Sequence, residues 1–102
     1  MSQTEESIEQ AIQDKGLNAP RLKPNDIDAV ILAVQHHVFP GSQLTVCCIT
    51  LKNGFTVTGE SACVSPENFD ADIGERIAFD KARDKIWALE GYLLKQKFFE
   101  SL

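Results

Sequence analysis

The chain has 102 residues, the size of one compact domain, with little room for a second core. Its 43% hydrophobic and 25% charged residues are ordinary for a globular protein. Its net charge of -5, without clustered Lys and Arg, argues against nucleic acid as a partner. No apolar run is long enough for a membrane span, since the longest uncharged stretch, Ala29 to Leu51, is broken by Gln35, His36, His37, Pro40, Gly41 and Ser42. The start, Met1 to Glu6, has neither the positive nor the apolar region of a secretory signal, which predicts a cytoplasmic location and no membrane partner.

In chain order, Ser2 with Glu5 three residues later opens a first helix. Ile8, Ala11 and Ile12 give it helical spacing, and Lys15-Gly16 closes it. Leu17 to Lys23, with Pro20, reads as a connector. Asn25 or Asp26 caps a second helix, in which Ile27, Val30, Ile31, Val34 and Val38 fall on one stripe and which Pro40-Gly41 ends.

Leu44 to Leu51 and Phe55 to Glu60 read as two strands joined by Asn53-Gly54, a strong hairpin signal. A two-residue turn would set Thr50 opposite Val57 and Cys48 opposite Gly59. One face then carries Leu44, Val46, Phe55 and Val57, and the other Cys47, Ile49 and Leu51. Ser65-Pro66-Glu67-Asn68 begins a long final helix with acidic residues at its start and Lys95 and Lys97 near its end. Ile73, Ile77, Phe79, Ala82, Ile86, Leu89 and Leu93 supply its apolar positions, and Gly74, Ala78 and Ala82 form a small-residue stripe that admits a close neighbour. Gly91 marks a bend or an end, beyond which lie Tyr92, Phe98 and Phe99. The expected fold is α+β: two N-terminal helices, one antiparallel hairpin and one long C-terminal helix, in a single domain over residues 1–102.

No catalytic, cofactor or metal motif emerges. Cys47 and Cys48 are adjacent in a strand and point to opposite faces, so they cannot share a metal. Cys48 and Cys63 stand roughly 13 Å apart in the expected register, too far for a disulfide. The three thiols therefore read as reduced and mostly buried. His36 and His37, adjacent near a helix end, diverge and make a poor chelate. The glycines match no phosphate-binding loop. Trp87 reads as core. Arg83 and Lys85, two cations beside Trp87 that could hold an anionic ligand, and Tyr92 are the ligand-binding candidates.

The run from Thr50 to Asp70, with Asn53-Gly54-Phe55-Thr56-Val57-Thr58-Gly59-Glu60-Ser61 and Ser65-Pro66-Glu67-Asn68-Phe69-Asp70, resembles small tailed-phage and prophage proteins grouped with products of the N4-like and Sf6-like phages. So does the run from Ala82 to Leu94, with Trp87-Ala88-Leu89-Glu90-Gly91-Tyr92. The likeness covers most of the chain from about Lys23 to Leu94. It implies a phage or prophage origin and a fold, and it brings no catalytic residue.

The favoured reading is a phage-encoded, non-enzymatic accessory protein that binds a host component in the host cytoplasm. A second is an oligomer that sequesters a small anionic signalling molecule near Arg83 and Lys85. A third, enzymatic, requires Cys63 and His36 or His37 to meet a carboxylate in one cleft. Self-association is also expected, through the second hairpin face or the excess length of the last helix, because a two-stranded hairpin apolar on both faces needs cover on both.

Overall fold

The computed structural model describes residues 4–17 and 19–102. The elements in order are α1 (Glu5–Asp14), α2 (Pro24–Ala29), β1 (Ile31–Val38), β2 (Leu44–Leu51), β3 (Thr56–Ala62), a 3₁₀ turn (Pro66–Asn68) and α3 (Ala71–Glu100). The class is α+β, as expected, and its sheet has three strands rather than two, in antiparallel order β1-β2-β3.

Thr4 caps α1, its side chain accepting from the Ser7 N–H at 3.1 Å. Ser2, the expected cap, lies outside the described residues. The helix ends as Lys15-Gly16 suggests: Gly16 takes φ 65°, and its N–H and that of Leu17 return to the Gln13 and Ile12 carbonyls, a Schellman closure. Helix α2 begins with Pro24 at its first position, and the Asp26 carboxylate accepts from the Lys23 N–H at 2.9 Å.

The expected second helix stops at Ala29, and the rest of its apolar stripe is β1. The stripe Val30, Ile31, Val34 and Val38 suits helical spacing, but its β-branched members fit a pleated strand as well. The tertiary context decides: β2 has Thr45, Cys47, Ile49 and Leu51 buried and needs a hydrogen-bonded neighbour on each side. Strand β1 fills the open side, pairing Val34 with Ile49, His36 with Cys47 and Val38 with Thr45.

The β2–β3 register is one residue away from the expected one, setting Ile49 opposite Val57 and Cys47 opposite Gly59. The turn explains the shift. Leu51 N–H donates to the Phe55 carbonyl at 2.7 Å and Gly54 N–H to the Leu51 carbonyl at 2.9 Å, so three residues, Lys52-Asn53-Gly54, form the loop. Gly54 at φ 89° supplies the left-handed position of a turn-plus-bulge hairpin. Val57 thereby joins Ile49 and Leu51 on one face instead of lying opposite them.

That face meets α3. The helix begins at Ala71, capped by Asp70 accepting from the Ile73 N–H at 3.0 Å, rather than at Ser65, where the chain makes only the 3₁₀ turn. Its buried residues are Gly74, Ala78, Ala82 and Ile86, so the small-residue stripe faces the sheet, while Ile73 and Ile77 are exposed. Small side chains bring the helix close: a Cβ at Gly59 would lie 2.3 Å from the Ala78 carbonyl oxygen and from the Ala82 nitrogen. The core comprises Ile27, Cys47, Ile49, Leu51, Val57, Ala78, Ala82 and Ile86. Helix α3 runs unbroken through Gly91, about 45 Å long from its 30 residues at about 1.5 Å each. It lies across β2 and β3.

Candidate functional site

Two polar clasps fasten α1 to the body. Arg21 grips the Glu9 carboxylate with both terminal nitrogens, at 2.7 and 2.6 Å. This fork, helped by a hydrogen bond from Gln13, holds the Glu9 carboxyl down at about 2. A depressed carboxyl stabilises the fold above its unfolded value, and that contribution disappears as pH falls from about 4.5 through about 2. An NMR titration should find Glu9 ionised well below the ordinary carboxylate range, and Arg21→Gln should return it to that range. A Glu9 midpoint near 4.5 in the wild type would contradict the clasp.

The second clasp centres on Arg83, whose side chain is only 12% exposed. Its Nε donates to Asp28 at 2.8 Å, one terminal nitrogen to Glu5 and the other to the Pro24 carbonyl at 3.2 Å. The Trp87 indole N–H donates to the same Glu5 carboxylate at 3.0 Å. Trp87 is half-buried and packs on the core, so the expected core role holds for its ring while its nitrogen serves a link to α1.

Of the three ligand candidates, Arg83 is thus committed to protein carboxylates, Lys85 is exposed on α3, and Tyr92 stands 72% exposed two turns further along. They do not converge. The cysteines and histidines are dispersed too. Cys47 is buried among apolar side chains, which pushes its thiol up, and all three cysteines are free thiols. Cys63 follows β3 while the histidines lie on β1, two strands away or about 10 Å across the sheet. Among the described residues no group of three or more His, Cys, Asp or Glu side chains is placed to hold a metal ion. Among the same residues no helix is long and apolar enough to cross a membrane.

Tyr92 belongs to a different feature. Between the hairpin tip and α3 lies a cleft of about 450 Å³ lined by Leu51, Phe55, Leu89, Tyr92 and Leu93, with Asn53 and Glu90 at its margin. Phe55, Tyr92 and Leu93 are exposed at 56%, 72% and 51%, so an aromatic-aliphatic cluster faces water. Its framework is well tied. The Asn53 side chain accepts from the Phe55 N–H at 3.0 Å, and Lys52 N–H donates to the Val30 carbonyl at 2.9 Å. Exposed Phe98 and Phe99 extend the apolar surface toward the end of the helix. The sequence carries part of this signal, since Tyr92 and both phenylalanines lie beyond the length of helix needed to cover the sheet. Phe55 was missed because the two-residue turn put it in register with Lys52, on a face expected to be covered.

The match to a protein family decides the lineage. Residues 4–98 fit the model of the phage protein (N4 Gp49/phage Sf6 gene 66) family. This chain belongs to that phage protein family. The match takes in all three strands and α1, extending the resemblance seen in the sequence toward the N-terminus. Comparison with curated proteins gave no match, and comparison with solved structures gave none.

Proposed function

We propose that this family member is a non-enzymatic accessory protein that binds a host protein stoichiometrically, through the cleft formed by Phe55, Leu89, Tyr92 and Leu93. The observation that carries the reading is the exposure of Phe55, Tyr92 and Leu93 on a hydrogen-bonded framework. Aromatic side chains dominate binding energy where they enter a partner's pocket, and the hairpin backbone that carries Phe55 is held by hydrogen bonds before binding, which lowers the ordering cost. Glu90 and Asn53 at the margin give the polar rim that such a patch needs for orientation. The anionic-ligand reading has less support, because the guanidinium of Arg83 already meets Glu5 and Asp28. The enzymatic reading has less support, because Cys63 follows β3 while His36 and His37 lie on β1, two strands away.

The test is capture from phage-infected host extract with tagged wild type and with Tyr92→Ala, both first shown to have the same circular dichroism. A host protein should be retained in fixed stoichiometry by the wild type. Loss of the Tyr92 ring should weaken it by about 2 kcal/mol, roughly thirty-fold. Equal retention by Tyr92→Ala and by Phe55→Ala would reject this surface. Recovery of a phosphorylated small molecule in place of a protein would favour sequestration.

A further inference from the structure

The sheet has two edge strands, β1 and β3, and β3 carries Glu60 and packs against α3. The phase of the β1–β2 ladder follows from Phe39 N–H donating to the Leu44 carbonyl at 3.3 Å, which makes Phe39, His37, Gln35 and Ala33 the residues bonded to β2. Val34, His36 and Val38 then turn their N–H and C=O groups outward, away from the sheet. Natural sheets blunt such an edge with charge, proline, a bulge or cover, and the register shift of β1 lies at Leu32, near its start. From Ile31 to Phe39 this chain has no proline and no Asp, Glu, Lys or Arg, although its net charge is -5. Among the described residues α3 packs mainly on β2 and β3, and near β1 its Arg76 and Phe79 line an open hollow with His36. Val34 and Val38 remain 40% and 37% exposed although they sit beside the fully buried Ile49 and Thr45.

We infer that β1 is a dimerisation edge, pairing antiparallel with β1 of a second copy to make one six-stranded sheet. The pattern is self-complementary. A bulge at Leu32 leaves Ala33 to Val38 in regular pairing, the Phe39 N–H extends the ladder by one bond, and the middle residue of Ala33 to Phe39 is His36. A two-fold axis through His36 sets each His36 opposite its copy as a hydrogen-bonded pair, and Val34 opposite the partner's Val38 twice, on the helix side. On the other face the same register sets Gln35 opposite the partner's His37, and Ala33 opposite the partner's Phe39, small against large. Both strands then offer outward N–H and C=O groups at the same positions, as an isologous contact requires. The strand itself brings no Asp, Glu, Lys or Arg to the seam, whereas Asp72, Glu75 and Asp80 of α3 line a hollow with His36, so an uncharged strand such as β1 of a second copy is favoured over one bearing carboxylates of its own.

Light scattering of the full chain, from micromolar to millimolar concentration, should show conversion from monomer to dimer. The amides of Val34, His36 and Val38 should exchange more slowly with solvent as the dimer forms. Val34→Lys and Val38→Glu change half-exposed side chains and should each give a folded monomer. Mixing these two variants should restore a dimer, because the register brings the new lysine against the new glutamate. A wild-type chain that stays monomeric throughout overturns the proposal, as does a dimer indifferent to Val34→Lys. Failure of the two variants to associate when mixed overturns the register. Dimers abolished by Tyr92→Ala but not by Val34→Lys would place self-association at the aromatic cleft and also overturn it.

Discussion

Gly59→Ala should cost about 3 kcal/mol of stability or more, the upper end for overpacking a core, and Gly59→Val should prevent folding at ordinary temperature. The reason lies in what the new atom would meet. It would fall 2.3 Å from the Ala78 carbonyl oxygen and the Ala82 nitrogen, and 2.9 Å from the Lys81 carbonyl carbon. All three are helix backbone atoms, which cannot swing aside as a flexible side chain can. Relief requires α3 to lift from the sheet, and that separates Ala78, Ala82 and Ile86 from Ile49 and Val57. Two other glycines, both on α3, provide the scale. At Gly74 the added atom would approach Thr45 Oγ1 at 3.1 Å, a side-chain contact, against a gain in helix propensity of about 1 kcal/mol, so Gly74→Ala should be near neutral. At Gly91 the nearest atom is Leu22 Cδ1 at 3.9 Å, an ordinary contact, so Gly91→Ala should stabilise by up to about 1 kcal/mol. Denaturant midpoints of the three alanine variants should therefore rank Gly91, Gly74, Gly59 from highest to lowest. A Gly59→Ala midpoint equal to that of the wild type would mean that α3 does not lie this close to β3.

Trp87→Ala should lower stability by about 3 kcal/mol, toward the low end for loss of a large aromatic because the ring is only partly buried. Two losses combine. The ring leaves the apolar cleft it shares with Ile8, Ile12 and Leu22, and Glu5 loses its indole donor. Trp87→Phe separates the two, since it keeps most of the packing and removes only the N–H. It should cost about 1 kcal/mol, the ordinary net worth of one hydrogen bond. Hydrogen exchange should also show where the damage falls. Amides of α1 should lose protection in Trp87→Ala before those of β2, because α1 is fastened through Glu5 and Glu9 rather than through the core. Loss of less than about 1 kcal/mol, with α1 amides unchanged, would show that the ring contributes little to docking that helix.

Much of this molecule was legible in the chain. The helix periodicities and the hairpin signal gave the α+β class. Lys15-Gly16 and Asn53-Gly54 marked a helix end and a turn through backbone preferences that act within a few residues, whereas Asn25 and Asp26, read as the cap of the second helix, lie inside α2 behind the Lys23 cap, and the Gly74-Ala78-Ala82 stripe announced a close contact on α3. The run from Thr50 to Asp70 and the run from Ala82 to Leu94 pointed to the phage protein family that the match over residues 4–98 shows.

What the sequence left open depended on long-range partners. Val30, Ile31, Val34 and Val38 satisfy a helical period and a strand composition equally well, and only the unpaired side of β2 chose between them. A loop of three residues rather than two moved Val57 to the buried face, a difference of one position that local propensity hardly registers but that reverses every side chain in a strand. Arg83 and Lys85 look alike as neighbouring cations, yet Glu5 and Asp28, 78 and 55 residues away, turn the first into a structural clasp and leave the second in water. The exposed edge of β1 and the position of Phe55 beside Tyr92 follow from the same assembly. Side-chain chemistry and backbone propensity are written residue by residue, whereas burial is set by which distant segments cover one another, and that is decided only when the chain closes on itself.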